Sequence, residues 1–185
     1  VFHQKINQLG VESIHGIMPL GFTDGSMEAK ETLRNALFGE SIRIEALPAK
    51  ENCVGTAKGR LIGGNMTIIY SLIGTELSYD FKDKILFIED IGEHIYKVDR
   101  MLHAFKLAGI FNQISGLILG GFTAMEDTDV PFGKTIEALI SEQVSNLGIP
   151  VAFNFPIGHI SDNQAVVVGR SVVLKVTEEK TTLLI

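Results

Sequence analysis

Three runs of residues, "KILFIED", "SGLILGGF" and "IPVAFNF", set the terms on which this chain can fold. The first two are apolar almost without interruption, the pattern of strands buried on both faces rather than of strands with one wet side. Between the first and second lies "HIYKVDRMLHAFKLAGIF", with Ile95, Val98, Leu102 and Phe105 at helical spacing. Between the second and third, "PFGKTIEALISEQVSNLG" reads as a helix opened by Pro131 and closed by Gly148. Strand, helix, strand, helix, strand predicts parallel pairing through right-handed crossovers, and so an α/β fold.

The flanks add shorter elements. Residues 1–9 read as a helix, with Val1, Phe2, Ile6 and Leu9 on one stripe and Gly10 as its stop. "ESIHGIM" reads as a short strand. "SMEAKETLRNALFG" reads as an amphipathic helix with Met27, Ala29, Leu33 and Leu37 inward and Gly39 as its end. "SIRIEAL" alternates as a strand does, and the texture then changes to the glycine-rich, strand-like "CVGTAKGRLIGGN". A domain boundary is therefore expected near Pro48, dividing residues 1–48 from 49–185. "NMTIIYSLIG" reads as a short helix with Asn65 at its N-cap. The tail "AVVVGRSVVLKVTEEKTTLLI" supplies two or three more strands, expected to form a second layer, the last pair joined by a turn at Glu178 to Lys180.

Composition narrows the function classes. An apolar fraction of 45% supports a well-formed core, and a net charge of -6 offers no electrostatic footprint for nucleic acid or an anionic membrane surface. The single Cys53 excludes an internal disulfide framework, and the five scattered histidines add no cysteine-based zinc pattern. No apolar run approaches the ~18 residues of a membrane span. The chain starts without Met or a leader pattern and reads as one entered in mid-domain, which leaves a preceding signal peptide open.

Two residues stand out chemically. Glu89, with Asp90 beside it, sits at the carboxyl end of "ILFIED", where ligands and catalytic groups collect in open α/β sheets. The plainer alternative is that both carboxylates cap the helix beginning near His94. His159 has a similar address, in "NFPIGHISDN" just past the third strand. Its imidazole can exchange a proton near neutrality, although a lone loop histidine is the commoner case. If the two strands are neighbours, Glu89 could orient His159 as a base. A nucleophile is harder to find: no Gly-x-Ser-x-Gly elbow occurs, Ser71 and Ser115 have no nearby base, and Cys53 in a strand-like run reads as structural. "FGKT" lacks the first glycine of a phosphate loop. "LIGGN" reads as a tight turn into a helix, its Gly63 and Gly64 also able to admit a ligand to the backbone. "MEDTDV" has no ordered metal-loop spacing.

Taken in order, "IHGIMP", "GRLIGGNMTIIYSLIGT", "ILFIEDIGEHIYKVDRMLHAFKLAGIF", "SGLILGGF" and "IPVAFNFPIGH" resemble the C-terminal part of the LD-carboxypeptidases, the S66-type serine peptidases that include the microcin-immunity peptidases. The resemblance implies a swivelling β/β/α-type C-terminal domain over residues 49–185 and a remnant of an amidotransferase-like α/β N-terminal domain over 1–48. It implies a Ser-Glu-His triad in which Glu89 orients His159, the general base, with Asn65 of "GGN" as a substrate-side contact. The family's serine lies at the start of a helix in the N-terminal domain, so it is expected upstream of Val1. The implied substrate is a cytoplasmic muropeptide, or a peptide antibiotic in the immunity branch, cleaved without metal or organic cofactor. A non-catalytic binding or assembly module is the reading of a different class. The "ESIHGIM" strand, without partners, predicts self-association into a homo-oligomer or a rearranged N-terminal segment. Arg60 and Arg100 are candidates for holding a substrate carboxylate.

Overall fold

The computed structural model describes residues 1–185. Its frame is a seven-stranded mixed sheet formed by β2 (Arg43–Ala46), β3 (Gly55–Asn65), β4 (Ile85–Ile91), β5 (Gly116–Thr123), β6 (Val151–Ala152), β8 (Ser171–Val176) and β9 (Thr181–Leu184), in the order β2-β9-β8-β3-β4-β5-β6. From β3 to β6 the pairing is parallel; from β3 through β8 and β9 to β2 it is antiparallel. The eleven-residue β3 joins the halves, its first part pairing with β8 and its last with β4. The tail therefore extends the same sheet through β8 and β9 instead of forming a separate layer. Only β7 (Val166–Val168) leaves it, pairing antiparallel with β1 (Ser13–His15) as a two-stranded ribbon.

The crossovers carry α3 (Met66–Leu72), α4 (Ile95–Leu107) and α5 (Ile136–Val144) on one face of the sheet. Successive residues of a strand point to opposite sides, and β4 shows it. Leu86 and Ile88 join the core under the helices, with Val98, Leu102 and Phe105 from α4 and Leu139 and Ile140 from α5. Ile85 and Phe87 join a second core with Val166, Val167 and Val168 of β7 and Ala36 of α2 (Met27–Phe38). Both faces of β4 are covered, which is why its sequence shows no alternation.

Several expectations change in detail. The fifth helix starts not at Pro131 but at Ile136, because Thr135 is the residue whose side chain caps it, accepting from Ala138 N. The third parallel strand is only two residues long. In α1 (Phe2–Gln8) the apolar stripe faces outward: Phe2 and the following Leu9 are exposed, and Gln4 is the buried residue. In α2 the buried side chains are the small Ala29, Thr32 and Ala36, while Met27 and Leu37 are exposed. Thr32 fixes that face, its hydroxyl accepting from Ala165 N at 2.9 Å, next to β7. The "ESIHGIM" strand is not without a partner, since β7 takes one of its edges. The boundary expected near Pro48 falls between β2 and β3, which lie in the same sheet with β9 and β8 between them. No helix is long and apolar enough to cross a membrane.

Candidate active site

Glu89 and His159 meet. His159 Nδ1 lies 2.6 Å from Glu89 Oε2. A carboxylate only accepts, so Nδ1 carries the proton, and in the neutral ring Nε2 is left as an acceptor. Nε2 makes no hydrogen bond within the chain. The two residues contrast in exposure: the Glu89 side chain is 1% exposed, that of His159 49%. A buried carboxylate behind a half-exposed imidazole is the arrangement that fixes a tautomer and stabilises an imidazolium.

Their strands are not neighbours, because β5 lies between β4 and β6. The encounter depends on two glycines. The β4–β5 register slips between Ile88 and Asp90, so that Gly120 and Gly121 of β5 together stand opposite Glu89. Such a bulge bends the strand and re-aims its neighbours. Over it runs the chain leaving β6: Phe155 N donates to Leu119 O, and Gly121 N donates to Ile157 O at 2.8 Å. A Cβ on Gly120 would meet Ile157 O at 2.5 Å, and one on Gly121 would meet Ile160. The loop then rests on Glu89 through Gly158, whose φ is +99°. Asn163 accepts from Gly158 N, Thr123 donates its hydroxyl to His159 O, and Ser26 at the start of α2 donates to Asp162. His159 is thus held from three directions.

Glu89 has a second imidazole beside it. His15, from β1, places Nε2 3.9 Å from Glu89 Oε1 and packs edge-on against Phe87, ring centroids 5.1 Å apart. Burial alone would push the Glu89 carboxyl up. The imidazoles of His15 and His159 outweigh it and hold the group below its usual range.

Asp90 does not cap the helix near His94; it serves α3 instead. Its Oδ1 accepts from Asn65 Nδ2 at 2.6 Å and its Oδ2 from Thr67 N at 3.0 Å and Thr67 Oγ1 at 2.8 Å. Asn65 is the N-cap as expected, its side chain accepting from Ile68 N. Opposite Glu89 in the β3–β4 register, it borders a hollow of about 210 Å³ with His3, Gly64, Glu89 and His159. A larger cleft of about 690 Å³ opens on the other side of His159, walled by Ile17, Met18, Leu20 and Ile160. The imidazole stands between the two spaces. Gly64 is open enough for a ligand to approach its backbone, whereas a Cβ at Gly63 would collide with Phe87.

Residues 58–174 match the LD-carboxypeptidase C-terminal domain. The chain belongs to the LD-carboxypeptidase family. It is 34% identical over 160 residues to a putative carboxypeptidase of Synechocystis, covering 86% of this chain and 52% of that protein. It is 32% identical over 190 residues to a probable murein peptide carboxypeptidase of Bacillus subtilis, covering 98% of this chain and 59% of that one. The crystal structure of a muramoyltetrapeptide carboxypeptidase from Oxalobacter formigenes superposes with a TM-score of 0.87 at 30% identity, over 99% of this chain and 64% of that one. The chain thus spans about half the length of the curated relatives it matches.

Within this LD-carboxypeptidase domain the remaining candidates fall away from His159. Arg100 lies over the Tyr96 ring on α4, and Arg60 stands in the half of β3 that pairs with β8; neither borders the spaces beside the imidazole. Cys53 bridges to Val151 at the amino end of β6, and burial pushes its thiol up, the opposite of an activated nucleophile. Reasoning from sequence missed His15. "IHG" shows nothing that separates it from any strand histidine, and only the fold brings β1 beside Phe87 and Glu89.

Proposed function

We propose that this domain supplies the base and its orienting carboxylate to a serine-type LD-carboxypeptidase that removes a terminal D-amino acid from cytoplasmic muropeptides. The observation that carries the reading is the 2.6 Å contact of His159 Nδ1 with the buried Glu89, which leaves Nε2 free between two spaces able to hold peptide. In this reading the serine comes from protein outside residues 1–185. His159 Nε2 takes the hydroxyl proton as the oxygen attacks the amide carbon, then gives it to the departing amine. In the second half-reaction it draws a proton from the attacking water and returns it to the serine oxygen as the ester bond breaks. Throughout, Glu89 accepts from Nδ1–H and balances the charge on the ring. Asn65, locked at one Nδ2 hydrogen by Asp90 and at Oδ1 by Ile68 N, keeps a second amide hydrogen for substrate.

A surface feature supports an N-terminal continuation. Of 19 large apolar residues left exposed, 11 lie within the first 47 positions, Phe2, Met18, Leu20 and Met27 among them. Such a concentration suits a surface covered by another part of the protein or by a second copy.

The test is release of the terminal D-amino acid from a muropeptide tetrapeptide. The protein extended to include the upstream part of its reading frame turns the substrate over, and residues 1–185 alone do not. His159→Ala and Glu89→Gln each lower kcat by about 10² to 10⁴. Undiminished turnover by His159→Ala would refute the assignment.

A further inference from the structure

Glu89 uses only one of its two oxygens on His159. The other, Oε1, is buried and has no hydrogen-bond partner, and so is Nδ1 of His15, whose Nε2 stands 3.9 Å from that oxygen. An ionised carboxylate oxygen sealed from water without a donor is costly to the fold. His15 is the donor within reach. Its ring already lies against Phe87, two residues before Glu89 on the same face of β4, so a small rotation or shift brings Nε2–H onto Oε1.

We propose that His15 is a positioning residue: its Nε2–H closes on Glu89 Oε1, keeps the carboxylate ionised and holds Oε2 turned toward His159. The inference rests on reading Glu89 and His159 as orienter and base. It also gives β1 and the segment around it a part in the site, since a shift of that ribbon moves the donor and loosens the base. The balance of groups around Glu89 agrees. From β5 it is faced by Gly120 and from the loop by Gly158 and His159. Across from it on β3 is Asn65, which is uncharged. Asp90, next along β4, is engaged by Asn65 and Thr67. Beyond His15 lies His3, ring centroids 5.9 Å apart, whose Nδ1 is 2.8 Å from Ser13 Oγ. Burial first, then His15 and the terminal amine, hold His3 down to about 4, so it is neutral near pH 7 and does not compete for the carboxylate.

The experiment follows the Glu89 side-chain carboxyl by carbon NMR in the 185-residue chain labelled at glutamate, together with the Nδ1–H proton of His159. In the parent chain the carboxyl titrates below the ordinary glutamate value. His15→Leu raises its midpoint by about one pH unit or more and broadens or removes the His159 Nδ1–H signal. His15→Gln, whose amide can reach and donate, restores most of both. Should His15→Leu not fold, His15→Asn, whose shorter amide stops short of Oε1, takes its place. A folded His15→Leu or His15→Asn chain with an unmoved Glu89 midpoint overturns the proposal. So does an equal rise in the Leu and Gln variants, which would reveal a packing effect without donation. The titration needs no turnover, so its failure is separable from failure of the peptidase reading.

Discussion

Gly158→Ala is the sharpest probe of how His159 is carried. The residue has φ +99°, a backbone state that costs an alanine about 1–2 kcal/mol by crowding of Cβ against its own backbone. The new Cβ would also stand 2.6 Å from Glu89 Cβ, 2.7 Å from Cγ and 2.9 Å from Oε2. Glu89 cannot retreat far, because Gly120 already backs it so closely that a Cβ there would lie 3.2 Å from Glu89 Cβ. Overpacking of this kind adds about 1–3 kcal/mol, for a total of about 2–5 kcal/mol. At this chain length that lowers Tm by about 4–20 °C. Gly133→Ala isolates the backbone part, since Gly133 has φ +84° with nothing within 4 Å of its would-be Cβ. Urea denaturation of the two variants should separate them by the packing part alone, and only Gly158→Ala should disturb the His159 Nδ1–H resonance. Equal stability of the two, or an unchanged resonance in Gly158→Ala, would refute the account of the loop resting on Glu89.

Asp90→Ala leaves Thr67 N and the Asn65 amide without their acceptor at a position only 2% exposed, and should cost about 2–3 kcal/mol in urea denaturation while freeing the Asn65 amide that we propose meets the peptide. Stability should also fall in acid in two stages. His3 is held at about 4 in the fold against 6.5 when unfolded, so the unfolded chain binds its proton first, and stability drains as pH falls from about 6.5 through 4. Glu89 is lowered from 4.5, so its contribution is present above that value and is lost as pH falls through its lower folded value. Denaturant midpoints from pH 7.5 to 3 check both, and a midpoint flat down to pH 4.5 would contradict the first stage.

The parallel core was legible because its signals are local. Apolar runs covered on both faces, with the cap at Asn65, leave few other solutions, whereas the cap at Thr135 is masked by the more conspicuous Pro131. In α2 the inward face holds at Ala29 and Leu33 and fails at Met27 and Leu37. Spacing marks Met27 and Leu37 as inward, but what α2 meets is β7, and the close approach there selects Ala29, Thr32 and Ala36. The tail strands were visible as strands, yet nothing in "AVVVGRSVVLKV" says that β7 leaves for β1 while β8 joins β3. Sheet order is a long-range property, and alternation within one strand does not encode its neighbour.

The site follows the same division. That Glu89 lies near the carboxyl end of one parallel strand and His159 beyond that of another is readable from the sequence. That they touch across an intervening strand is not, because it depends on the "GG" of "SGLILGGF". Two glycines near a strand's carboxyl end signal a bulge or a close backbone approach, and here they serve as both: they set the slipped register opposite Glu89 and leave room for Ile157 and Ile160 to lie across β5. The strict alternation of β4 then does the sorting. Glu89 faces the loop and the ribbon, where two imidazoles wait. Asp90, one residue on, faces the helices, where it fixes Asn65 at the start of α3. A slip of one residue in β4 would exchange the two carboxylates and undo both arrangements, so the site's chemistry is bound to the same register that buries Phe87 and Ile88.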